Sequence, residues 1–248
     1  MPALTECWWD SATKRSAWLG ALVGGIAAGG TGFAFGLAAS SIWLHRIDPL
    51  QSGLLVAGCG LLLHLTTIWQ QRQHVEPTRI WPFVAGGLVG VPIGMHFLAC
   101  TDAAVLKIVL ALFLIAFGSY ALLAPKLATV TGGGRSADVS IGFLGGILGG
   151  LGGYSGILPT IWTQLRGWPK ETARAVYQPY VIVMQAVTLA GILWVASDRA
   201  GLILLIVILA PLFLGTWIGW KLYGKLDDRR FRQALAVLLI ASGATLII

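Results

Sequence analysis

Charge is scarce in this chain: Asp, Glu, Lys and Arg make up 11% of its 248 residues, against 56% hydrophobic residues, and the mean hydropathy is +0.80. A soluble globule of this size could not cover itself with so little polar surface, so water is not its main solvent. Cysteine is scarce too. Cys7, Cys59 and Cys100 form no CxxC pair, which leaves a disulfide framework and a zinc site without support. Strands of about ten residues alternating apolar and polar are missing, and with them the signature of a membrane β-barrel. HExxH, a P-loop, a nucleophile beside a base and paired carboxylates are missing as well. Enzyme chemistry therefore has no residues to stand on, and no cofactor or metal is expected.

What the chain does have is apolar runs of about 20 residues, the length a helix needs to cross about 30 Å of hydrocarbon. They fall at roughly 17–44, 50–70, 80–100, 103–124, 138–165, 174–197, 200–220 and 231–248. The fold class this predicts is an all-α polytopic membrane protein. The 17 Lys and Arg, with a net charge of +7, sit at the ends of these segments rather than along one basic stripe. That placement orients a chain in a lipid bilayer and does not point to nucleic acid. Trp8, Trp9, Trp81, Trp168 and Trp220 lie near segment ends, as interfacial belts require. Lys14 and Arg15 ahead of Ala17 imitate a signal peptide, but the apolar run continues past any small-residue cleavage site, so the N-terminus is expected to be retained.

The first and fifth segments are longer than one span needs, and each is interrupted by glycines. An offset of 120 lays Gly25 on Gly145, Gly29 and Gly30 on Gly149 and Gly150, Gly32 on Gly152, Gly36 on Gly156 and Pro49 on Pro169. A second offset, 125, lays Gly90–Gly94 on Gly215–Gly219, Asp102 on Asp227, Lys107 on Arg232 and Gly118 on Gly243. The chain thus reads as two repeats, 1–124 and 125–248, each a glycine-broken first segment, re-entrant or discontinuous, plus three transmembrane helices. If each broken segment dips in and returns, Lys and Arg divide five against twelve between the two sides; if all eight segments cross, they divide seven against ten. The better sorting favours the hairpins and makes the repeats inverted, with both termini outside the cytoplasm and the chain multi-pass in the inner (plasma) membrane.

Transporters built from inverted repeats hold their substrate at the midplane, where discontinuous helices meet. The candidate binding residues are accordingly Gly30, Thr31, Gly32 and Phe33 in the first break and Gly152, Gly153, Tyr154, Ser155 and Gly156 in the second. Glycine frees backbone N–H groups there, helix N-termini add positive ends, and the hydroxyls donate without a full charge, a combination suited to a small anion. Arg174, Gln178 and Gln185 share one face of the sixth segment and form a polar stripe beside the breaks. His64 lies deep in the second segment and is a candidate for carrying a coupling proton, or else a neutral His bonded across helices. Gly25 and Gly145 read as packing positions, Arg166 and Lys170 as interfacial anchors, and Asp102 and Asp227 as helix starts.

The glycine-broken stretch Ile141–Pro159, the run Gln164-Leu-Arg-Gly-Trp-Pro-Lys-Glu-Thr-Ala-Arg-Ala-Val-Tyr-Gln-Pro179 and the duplicated plan resemble the TauE/SafE family of membrane permeases. The resemblance spans nearly the whole chain. It implies a secondary transporter, an exporter of sulfite, an organosulfonate or another small anion, with no enzymatic activity. The first half departs from the second in having Phe33 and Phe35 among its glycines and Leu54 where the second half has Arg174. An integral membrane scaffold is the alternative, and it expects the break glycines to be filled by packed side chains. The substrate's identity, the coupling ion and the oligomeric state are not written in the sequence.

Overall fold

The computed structural model describes residues 11–31, 34–71, 76–123, 130, 132–196, 199–223 and 228–247. Among them there is helix and no strand. The helices are α1 (Ser11–Thr31), α2 (Phe35–Trp43), α3 (Pro49–Gln71), α4 (Pro77–Cys100), α5 (Ala103–Leu123), α6 (Gly134–Gly152), α7 (Ile157–Leu165), α8 (Lys170–Ala196), α9 (Arg199–Val207), α10 (Leu209–Tyr223) and α11 (Asp228–Ile247). Each apolar segment of the sequence is one helix or a consecutive pair. Among the described residues, four stretches are long and apolar enough to cross a bilayer: Pro49–Ile68, Pro77–Cys100, Glu171–Val195 and Ala200–Leu222. The shorter apolar stretch Ala104–Tyr120 lies in α5.

Local chemistry sets the helix starts and breaks. Asp48 caps α3, its carboxylate accepting the Leu50 N–H at 3.0 Å, with Pro49 at the first helical position, where a missing N–H costs nothing. Asp102 starts α5 through its carbonyl, which accepts the Leu106 N–H at 3.0 Å; Asp227 lies outside the described residues. Between α9 and α10 the hydrogen-bond ladder almost continues, with Ile208 bonded to Leu204 and Leu212 to Ile208. Pro211 interrupts it, because it has no N–H for the Val207 carbonyl.

The helices group into two units. One holds α1, α2, the start of α3, α5, α9, α10 and α11; the other holds the rest of α3 with α4, α6, α7 and α8. In the second unit α4 and α6 meet through glycine on both sides. A Cβ on Gly86, Gly90 or Gly94 would overlap the carbonyl oxygen of Val139, Phe143 or Ile147; one on Gly142, Gly146 or Gly150 would overlap that of Phe83, Gly87 or Val91. Numbers rise together on both helices, so the pair is parallel. Glycine at every fourth position lets the two backbones touch, and in lipid such contact stands in for the hydrophobic drive that water would supply.

In the first unit α1 and α10 make the same kind of contact: Gly25 on the Leu212 carbonyl, Gly29 on Thr216, Gly215 on Leu22 and Gly219 on Ile26. Their counterparts in α4 and α6 are Gly146 on Gly87, Gly150 on Val91, Gly90 on Phe143 and Gly94 on Ile147. Every pair matches at an offset of 121 between α1 and α6 and 125 between α4 and α10. Over α1 and α6 the register is therefore 121 and not 120, and Gly25 answers to Gly146. Because Gly145-Gly146 and Gly149-Gly150 are both doublets, glycine identity alone does not fix the register. Gly145 has a different neighbour, the Tyr180 hydroxyl.

Candidate functional site

Helix α6 is followed closely by α7, and the two ends of this α6–α7 segment stand together. Trp162 Nε1 of α7 donates to Asp138 Oδ1 near the start of α6 at 2.7 Å, and Arg166, just past α7, reaches the same carboxylate at 3.3 Å. Between the helices lie Gly153, Tyr154, Ser155 and Gly156. Gly153 has φ +79, a left-handed conformation open to glycine and costly with a Cβ. A Cβ there would also press on Val56 and the Ala57 nitrogen of α3. Gly152 is covered by the Tyr154 ring and Gly156 by Val181, so in this conformation the break is packed.

Not every amide of the break is offered to a ligand. The Gly153 N–H returns to the Gly149 carbonyl at 2.7 Å and the Tyr154 N–H to the Leu148 carbonyl at 3.2 Å. The C-terminal carbonyls of α6 need donors at a depth where water is scarce, and these two N–H groups are the nearest. Ser155 and Gly156 are different. They lead into the N-terminal end of α7, where the dipole is positive; the Ile157 N–H bonds the Tyr154 carbonyl at 3.4 Å and the Thr160 N–H that of Gly156 at 3.1 Å, and Pro159 has no N–H, which leaves the Leu158 amide in the first turn. The Ser155 side chain is fully buried, and its hydroxyl has no hydrogen-bond partner.

Helix α8 brings a polar face to this unit. Gln178, Gln185 and Thr188 are all buried, and Gln178 Oε1, Gln185 Oε1 and Thr188 Oγ1 each lack a partner. A buried polar atom without a partner costs about 1–3 kcal/mol, so three on one helix face are expensive unless they serve something that binds. Gln185 is the best anchored: its Nε2 donates to the Gly153 carbonyl at 3.4 Å, and its amide lies flat on Gly60 of α3, where a Cβ would overlap it. Val181, between the two glutamines, is the residue that covers Gly156. Arg174 is half-buried one turn before Gln178. Pro179 removes the N–H that would bond the Ala175 carbonyl and weakens the ladder beside Gln178.

The structure thus brings Gly152, Gly153, Tyr154, Ser155, Gly156 and Gln185 together, with Gln178 and Arg174 further along the same helix. His64 is buried on α3, one turn beyond Gly60 and on the same face by helical spacing; its backbone carbonyl accepts the Thr67 hydroxyl at 3.2 Å. In the first half, Gly30 and Thr31 are the last residues of α1, while Gly32 and Phe33 lie outside the described residues. There α2 is tied to α1 by Trp43 Nε1, which donates to the Ala17 carbonyl at 3.1 Å, over a glycine, Gly20, that leaves room for the indole. Buried hydroxyls recur in this unit: Ser40 Oγ and Ser52 Oγ have no partner.

Sequence reading missed Thr188, Gly60 and Asp138. Thr188 carries a signal, being three residues beyond Gln185 on the extended stripe. Gly60 shows only through its neighbour, and Asp138 only once α6 and α7 are seen side by side.

Long apolar helices joined by backbone contact define a helical integral membrane protein. Residues 17–246 match the family model described as Sulfite exporter TauE/SafE. The chain therefore belongs to the TauE/SafE family, a family of membrane transporters and not of enzymes. No curated protein and no solved structure matches it.

Proposed function

We propose that the protein is a secondary transporter, an exporter, of a small sulfur-containing anion such as sulfite or an organosulfonate, bound at the second break. The observation that carries this reading is the fully buried, unpartnered Ser155 hydroxyl at the start of α7. Its O–H and the Leu158 N–H in the first turn of α7 are the donors, and Gln178, Gln185 and Thr188 line the approach. Neutral donors suit a carrier, because a full charge buried alone in hydrocarbon would be too costly. Arg174 supplies the one compensating charge, and His64, sharing a face with Gly60, is the residue to carry a coupling proton. Gly30, Thr31, Gly32 and Phe33 are the corresponding binding residues of the first half in this reading.

The repeats, 1–124 and 125–248, are inverted, a reading supported by the matched glycine contacts of α1–α10 and α4–α6 and by the antiparallel pairing of α5 with α11. Each broken segment is a re-entrant hairpin, as the Trp162–Asp138 and Trp43–Ala17 bonds support. Both termini then lie outside the cytoplasm of a cell whose inner membrane holds the protein. The close packing of Gly153 and Gly156 favours a second reading, a non-transporting scaffold. Flux separates the two: purified protein in proteoliposomes is tested with sulfite, sulfoacetate and taurine, with and without a pH gradient. Transport of any of them above empty vesicles supports the carrier; none supports the scaffold.

A further inference from the structure

At the mouth of the α6–α7 segment stands a cluster that the bound-anion reading leaves unused. Asp138 is buried, and its carboxylate accepts from Trp162 Nε1 at 2.7 Å and from Arg166 Nη2 at 3.3 Å to both oxygens. One guanidinium nitrogen serves both oxygens, so this is not the parallel two-nitrogen fork that makes Arg–carboxylate pairs strong. Arg166 Nε is buried and has no partner. The Arg166 guanidinium also lies over two indoles, 5.5 Å from the Trp162 ring and 5.6 Å from that of Trp168. Arg79 of α4 meets the same Trp168 ring at 5.4 Å and pairs with Glu76.

Two features make the Asp138–Arg166 pair separable. If the carboxylate moves away, Arg166 stays seated on the indoles of Trp162 and Trp168, which hold a guanidinium by cation–π attraction and stacking. Asp138 in turn keeps the Trp162 N–H. Neither partner is stripped bare, and Arg166 then presents Nε and Nη2 on one edge, the geometry that binds two oxygens of a tetrahedral or pyramidal oxyanion. Helix α7 has nine residues, which places this mouth about 14 Å along the helix from the break.

We propose that Arg166 is a second, outer anion-binding residue, and that Asp138 is a built-in competitor that occupies it until a substrate oxyanion displaces the carboxylate. The inference rests on the anion-transport reading and extends it to a residue whose sequence pattern suggests only interfacial anchoring. It differs from a structural ion pair in the sign of its mutants. Losing either member of a structural pair harms in the same direction, whereas losing a competitor helps binding and losing the binder harms it.

The test is the concentration dependence of sulfite flux in proteoliposomes for the parent, Asp138→Asn, Arg166→Gln and the double variant. Asp138→Asn should lower the half-saturating concentration about threefold or more, since Asn still accepts from Trp162 but no longer competes as an anion. Arg166→Gln should raise it about tenfold, and the double variant should behave like Arg166→Gln. An unchanged or raised value in Asp138→Asn, or recovery in the double variant, overturns the inference. Should Asp138→Asn fail to fold, Arg166→Lys decides: charge is kept and the planar fork lost, so about a tenfold rise at an unchanged thermal midpoint supports the inference and an unchanged value overturns it. A parent protein that carries no sulfite, sulfoacetate or taurine overturns the transport reading itself, before any variant is compared, and the inference falls with it.

Discussion

Gly118 sets its bare Cα against the carbonyl oxygen of Ala236 and the side chain of Ile240, and Gly243 does the same against Ala111 and Ile115. Each residue of one contact lies 125 positions from its counterpart in the other. The contact is thus isologous, like that of a two-fold dimer, although one chain makes it. The later residue of α5, Gly118, meets the earlier part of α11, and the earlier part of α5 meets the later residue of α11, so the helices are antiparallel. A two-fold relating antiparallel helices lies across their axes.

If the two contacts are equivalent, Gly118→Val and Gly243→Val should destabilise alike. Overpacking of this kind costs about 1–3 kcal/mol. Thermal unfolding of the purified protein in detergent reads the comparison, and a variant that behaves like the parent while the other collapses would count against the two-fold.

Gly90→Ala should be among the most damaging single-methyl changes in the chain, because its Cβ would overlap the Phe143 carbonyl and force α4 off α6. Gly132 has open space where a Cβ would go, so Gly132→Ala should stay within about 0.5 kcal/mol of the parent. Equal melting of the two variants would show that the glycine stripe does not set the α4–α6 distance.

Thr188→Val replaces a buried, unpartnered hydroxyl with a methyl of the same shape. Removing an unsatisfied polar atom should raise stability, by about 1 kcal/mol, while anion flux falls. Gln178→Leu should likewise leave folding intact and lower transport. The opposed signs are the test: a Thr188 that merely holds the fold would lose stability on this change.

Arg174→Lys keeps the charge and loses the planar fork, so half-saturation by sulfite should rise several-fold with little change in the thermal midpoint; Lys170→Ala should do little. Arg174→Ala transporting as well as the parent would reduce Arg174 to an orientation charge and leave the site to Ser155 and the N-terminal end of α7.

The glycines show where legibility ended. Glycine groups in the first and fifth segments read as interruptions; α1 ends at Thr31 and α2 starts at Phe35, while α6 ends at Gly152 and α7 starts at Ile157. Many helical glycines serve another purpose, the contact of one backbone with another. Gly86, Gly90, Gly94, Gly142, Gly146 and Gly150 do so in one helix pair alone, whereas Gly153 takes a left-handed φ. Both uses ask only that a Cβ be absent, so glycine identity does not tell them apart. The amides of the break were legible as donors, but the Gly153 and Tyr154 N–H groups are taken by the end of α6, a demand that appears only when the helix terminus is located.

By itself the sequence determined the solvent, the all-helical class, the positions of the apolar segments and the polar stripe of α8. Lipid leaves only helices and closed barrels to satisfy a backbone, so those features must be written as composition and period. The tertiary structure alone decided the register of 121 over α1 and α6, the seating of Gln185 on Gly60, the Asp138–Arg166–Trp162 cluster and which polar atoms stay without partners. Each depends on residues far apart in the chain reaching the same few ångströms, and neither spacing nor residue type along the chain encodes that distance.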